Sequence, residues 1–131
     1  MRALLTAAFP TAPQAADAVA RLFTERRIGK NDTLLRQGEV WQHAFLIERG
    51  LTRMHFVRRD GKEFNKNFHA EGALICPITR AMEEEPSLFS ITAVEAAVVW
   101  QAPMAELKPC LTQHGVWEPM RSVLLERLIT H

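Results

Sequence analysis

The chain has 131 residues, 47% of them apolar, and a formal net charge of +1. That is enough for one domain with a buried core, too little for two ordinary ones, and it excludes a disordered chain. The near-neutral balance gives no basis for a nucleic-acid-binding or membrane-surface role, because a standalone DNA-binding domain is usually far more basic.

Residues 1–10 hold a short apolar run followed at once by amphipathic sequence, which argues against a signal peptide. Gln14 to Arg26 places Ala15, Val19, Leu22 and Phe23 on one stripe at helical spacing, so residues 1–27 read as an N-terminal helical segment. From Ile28 to Pro103 short apolar runs alternate with turn signals every 8–12 residues or so, the pattern of an all-β sandwich or barrel. The strands expected are Leu34–Leu35, Phe45 to Glu48, Leu51 to Arg58, Phe64 to Phe68, and two within Phe89 to Gln101, divided at Val94-Glu95-Ala96. Asp60-Gly61 predicts a two-residue hairpin turn, which sets His55 opposite Lys66. Alternation then puts Asn65, Asn67 and His69 on one face.

Pro77 to Glu85 predicts a short helix opening on its proline. Residues 104–131 read as helical, with Pro109 splitting Met104 to His114 into two short turns and a better helix over Glu118 to Ile129. In that last helix Met120, Val123, Leu124 and Leu128 share one stripe. The fold class expected is mainly β: a double-stranded β-helix, or jelly-roll-like β-roll, with flanking α-helices at both ends.

Four pieces carry a resemblance: Leu34-Leu35-Arg36-Gln37-Gly38-Glu39, Phe45-Leu46-Ile47-Glu48-Arg49-Gly50, Asp60-Gly61-Lys62-Glu63 and Ala70-Glu71-Gly72. Together they resemble the cyclic-nucleotide-binding domain, closest to the sensor half of the catabolite-activator and fumarate–nitrate-reduction regulators, whose glycines sit at strand-to-strand turns. The family's ligand chemistry rests on a cassette after the fourth glycine. There a glutamate accepts the ribose hydroxyl, and an arginine followed by a small polar residue neutralises the phosphate. The matching segments are Leu74-Ile75-Cys76-Pro77 and Ser87-Leu88-Phe89. Pro77 stands at the glutamate position, Cys76 at the glycine before it, Ser87 at the arginine position and Leu88 at its small polar partner. Proline has neither carboxylate nor N–H, and serine has no charge, so a buried phosphate would lack its cation. The resemblance therefore carries over the fold and not the usual nucleotide. Met54, Lys66, Asn67 and His69 are expected to line the pocket, and Arg80 or Lys66 is the candidate for a replacement cation.

Cys76 and Cys110 match no C-x-x-C spacing and read as small buried hydrophobes in a reducing cytoplasm. A redox or haem role would fall to Cys76, at the start of the short helix. The sequence has no H-x-H pair, and His55 and His69 point to opposite faces, so no metal site is expected. No catalytic triad, paired carboxylates or phosphate-binding glycine loop stands out, so neither an enzyme nor a cofactor is predicted. No stretch reaches the ~18 apolar residues of a membrane span.

The resemblance implies a ligand-sensing regulatory domain, dimeric through Met120, Val123, Leu124 and Leu128. It would respond to a small-molecule effector and reach DNA only through a further domain beyond His131. The alternatives are a standalone dimeric interaction module without a ligand, and a cyclic-nucleotide binder with a rearranged phosphate site.

Overall fold

The computed structural model describes residues 15–130, with side chains to Arg127. In chain order the described elements are α1 (Ala15–Ala20), β1 (Thr24–Ile28), β2 (Thr33–Leu35), β3 (His43–Arg49), β4 (Thr52–Val57), β5 (Glu63–His69), β6 (Leu74–Ile75), α2 (Arg80–Glu84), β7 (Ser90–Ala93), β8 (Ala97–Pro103), α3 (Met104–Gln113) and α4 (Trp117–Thr130). The strands form two four-stranded antiparallel sheets, ordered β1-β8-β3-β6 and β2-β7-β4-β5. This is the expected mainly-β roll with helical flanks.

Two apolar layers hold it together. Between the sheets lie Phe45 and Ile47 of β3, Met54, Ile91 and Val99. On the other side of β3, Ala44 and Leu46 pack against Val19, Leu107, Leu111 and Trp117 of the helices. Buried on both faces, β3 reads as a continuous apolar run rather than an alternating one. Leu46 and Leu107 are wholly buried, and each such side chain contributes about 1.5–3 kcal/mol through removal from water.

The N-terminal helix is shorter than its pattern predicts. It ends at Ala20, and Thr24–Ile28 is an edge strand paired with β8 from Thr24↔Gln101 to Ile28↔Ala97. Leu22 and Phe23 pack into the helical layer, and the next residues satisfy backbone groups of β8 that would otherwise lack partners. The exposed Glu25, Arg26 and Arg27 suit an edge strand, which they protect from further pairing. The roll thus begins at Thr24, not Ile28.

Three further expectations change. Pro109 does not split α3, which is continuous. One missing N–H is tolerated because Met104, Leu107 and Leu111 anchor the helix in the core. The short helix opens at Thr79, whose Oγ1 accepts the Met82 N–H at 3.1 Å, so Pro77 and Cys76 lie outside its first turn.

The β4–β5 turn is also longer than two residues. Val57 pairs with Glu63, leaving a loop over 58–62 in which Gly61 alone has positive φ and donates to the Arg58 carbonyl at 2.9 Å. His55 therefore faces Asn65 rather than Lys66. A bulge then shifts the register, so that Met54 opposes Asn67 and Thr52 opposes His69. Lys66 is the residue left over.

Candidate functional site

That bulge shapes the site. A bulge re-aims side chains by inserting an unpaired residue. Asn65 goes to the outer surface, where Arg53 donates to its Oδ1 at 2.7 Å. Asn67 and His69 line a cavity of about 570 Å³, and Lys66 joins them there. The expected grouping of Asn65 with Asn67 and His69 is thereby corrected, because strict alternation fails at a bulge.

The cavity lies among β4, β5, β6, α2 and α4. Met54, Leu74, Ile75, Cys76, Ile78 and Met82 give it apolar walls. Trp41 and Phe89 form one corner, edge to face with centroids 5.7 Å apart. The Trp41 indole N–H is already donated to the His43 carbonyl at 2.7 Å, so its ring presents an apolar surface. Lys66 Nζ sits 5.4 Å from the Phe89 ring centroid, within range of a cation–π attraction. Leu124 and Arg127 bring α4 to the same space.

Two cavity groups are electrostatically distinctive. His69 Nδ1 is buried without a hydrogen-bond partner, and burial lowers the ring's pKa from its ordinary value of 6.5, which favours the neutral form. Burial, with a smaller contribution from the Glu83 carboxylate, pushes the Cys76 thiol up to about 12. Cys76 is thus a protonated hydrophobe and not the activated thiol that a helix start would have made.

The candidate residues divide. Leu74, Ile75, Cys76, Phe89, Met54, Lys66, Asn67 and His69 converge on the cavity. Pro77 is fully buried elsewhere, and Leu88 is 81% exposed. Ser87 turns its hydroxyl onto the backbone of Phe89. Arg80 is exposed and ion-paired with Glu84 at 3.2 Å, away from the cavity. Of the helical stripe, Met120 and Leu124 pack against the core, Val123 is 46% exposed, and the Leu128 side chain lies outside the described residues. Trp41, Ile78, Met82 and Arg127 are cavity residues that sequence reasoning missed. The only local signal was the spacing of Arg127 three positions after Leu124 on one helix.

His55 lies on the other side of its sheet, its Nδ1 2.9 Å from Glu63 and its Nε2 2.8 Å from Thr92 Oγ1. Among the described residues no group of three His, Cys, Asp or Glu side chains could hold a metal ion, and no helix is long and apolar enough to cross a membrane. A second hollow, of about 590 Å³, lies between α2 and α3; its Glu83 and Lys108 are already paired with each other at 3.0 Å.

Residues 25–114 match the family model described as "Cyclic nucleotide-binding domain". No curated protein matches the chain in sequence. Among solved structures, the catabolite activator protein of Thermus thermophilus superposes with a TM-score of 0.80 at 19% identity, over 97% of this chain and 58% of that one. The sensor domain of the transcriptional regulator DNR from Pseudomonas aeruginosa gives 0.79 at 17%, over 98% and 86%. The regulatory domain of Toxoplasma gondii PKA, solved with cAMP, gives 0.81 at 13%, over 99% and 49%. At these identities the likeness is one of fold, and the chain spans little more than half of the catabolite activator.

Proposed function

Because the chain belongs to the cyclic nucleotide-binding domain family, we propose that it is a cytoplasmic, non-catalytic sensor domain of a transcription regulator. Its 131 residues would form one domain, with DNA read by a separate domain. Its effector is a small molecule held in the cavity between β5 and α4, and not a cyclic nucleotide bound in the family's usual way. One observation carries this reading: the cavity is open to Lys66, Asn67 and His69 while Pro77, Ser87 and Leu88, at the family's cassette positions, do not line it.

The cavity also suggests how occupancy would be transmitted. A ligand shifts a two-state equilibrium only through contacts that differ between the states. Leu124 and Arg127 let an occupant touch α4 directly, and Arg121 Nε ties the same helix to the Ile78 carbonyl at 2.7 Å. In this reading α4 is the helix that dimerises, with the exposed Val123 available to a partner copy.

Calorimetry and thermal shift with cyclic AMP and cyclic GMP test the proposal. The expected result is no heat and no stabilisation at about millimolar nucleotide, where binding at a Kd tenfold below that concentration would already raise stability by over 1 kcal/mol. Micromolar binding that is lost in Lys66→Met would overturn it in favour of a rearranged nucleotide site.

A further inference from the structure

Resting on that sensor reading, we infer that the effector is a small amphipathic monoanion, a carboxylate on a flat apolar body. Its head would sit at Lys66 and its body against Trp41 and Phe89.

The bulge is the first reason. In an unbroken β5, Lys66 would alternate away from the face that carries Asn67. The extra residue instead brings its ammonium to the cavity, over the Phe89 ring. Among the described residues Lys66 has no ion-pair partner, and none of the described residues lining the cavity is acidic. Glu83, the carboxylate felt by Cys76, is held by Lys108 Nζ through both its oxygens at 3.0 and 3.1 Å. Arg127, the other cation lining the cavity, has an interaction of its own, so the Lys66 ammonium is the cation left for a ligand.

The balance of charge and shape is the second reason. Asn67 and the unpartnered His69 Nδ1 add uncharged polar contacts. With Arg127 already engaged, one lysine head matches one negative charge, whereas a doubly charged phosphate ester would bring a second charge with no further cation to meet it. Apart from Arg127 and the Cys76 thiol, the remaining walls are aromatic, aliphatic or thioether and suit a flat hydrocarbon body.

The test uses the full chain with 1-naphthylacetate and its uncharged amide, 1-naphthylacetamide, read by calorimetry and thermal shift. The carboxylate is expected to bind at least about tenfold more tightly than the amide, the scale of one charge-assisted contact. Lys66→Met should bind the two alike. Lys62→Met, in the exposed loop, should keep the preference. An amide bound as tightly as the carboxylate, a preference that survives Lys66→Met, or no stabilisation by either probe at about millimolar concentration would each overturn the inference. None of these touches the sensor reading, which fails instead on micromolar binding of a cyclic nucleotide.

Discussion

Ser87 and Phe89 are closed on one another: Ser87 Oγ donates to the Phe89 carbonyl at 2.7 Å and accepts the Phe89 N–H at 3.2 Å. Ser87 is also fixed through its backbone, donating to the Glu39 carbonyl and accepting from Gly38 N–H. The hydroxyl therefore holds the strand entry that places Phe89 in the cavity corner. Ser87→Ala should cost about 1–2 kcal/mol, because it leaves buried backbone groups unsatisfied, with urea unfolding as the measurement. Ser87→Arg should restore no cyclic-AMP binding, since position 87 does not line the cavity and Pro77 still lacks a carboxylate. Micromolar cyclic-AMP binding by that variant would refute this account of the segment.

Gly50 stands at φ +104°, and a Cβ there would lie 2.6 Å from Ala97 Cβ and 2.7 Å from the Ala96 carbonyl oxygen. The β3–β4 turn thus lies directly against Ala96 and the Ala97 methyl at the start of β8, with no room for a side chain between them. Gly61 also has positive φ, but an added Cβ meets nothing within 4 Å. Gly61→Ala should therefore cost about 1–2 kcal/mol, from the dihedral alone. Gly50→Ala should cost about 3 kcal/mol or more, as overpacking adds to that dihedral cost. Equal urea midpoints for the two variants would contradict the close approach.

The turn glycines were legible because positive φ selects glycine almost regardless of context. Gly38, Gly50, Gly61 and Gly72 all adopt it. The double burial of β3 was legible too, in the unbroken run Phe45-Leu46-Ile47. What depends on register was not. Glu25, Arg26 and Arg27 are good helix formers, and only the free edge of β8 makes their segment a strand. The bulge at Lys66 has no glycine to announce it, so alternation assigned Asn65 to the wrong face. Likewise, Leu124 looked like a residue for a partner helix, and only the docking of α4 turns it toward the cavity.

The buried imidazole of His69 should make stability fall below about pH 6.5. Its pKa in the folded chain is lowered by burial from the ordinary 6.5. Between those two values the unfolded chain binds the proton and the folded chain does not, so unfolding takes up a proton and becomes easier as the pH drops. Above 6.5 both states are neutral and the group contributes no slope. His55 acts in the same direction, through burial and then Arg53, with Glu63 opposing. Urea melts at about pH 7.5 and 5.5 should show a smaller loss for His69→Gln than for the parent. An identical loss in both would show that His69 does not titrate as its burial requires.

The two cysteines should differ in reactivity. Cys76 is 5% exposed, and its pKa is pushed up to about 12. Near pH 8 that leaves roughly one thiolate in ten thousand, and the thiolate is the reactive form. Cys110 is partly exposed on α3. An aromatic disulfide reagent should therefore label Cys110 alone in the folded protein and both thiols in urea. Cys110→Ser should leave the folded chain unlabelled over the time in which the parent reacts fully. Prompt labelling of that variant would require Cys76 to be reachable as a thiolate, and would reopen a thiol-based sensing role in the cavity wall.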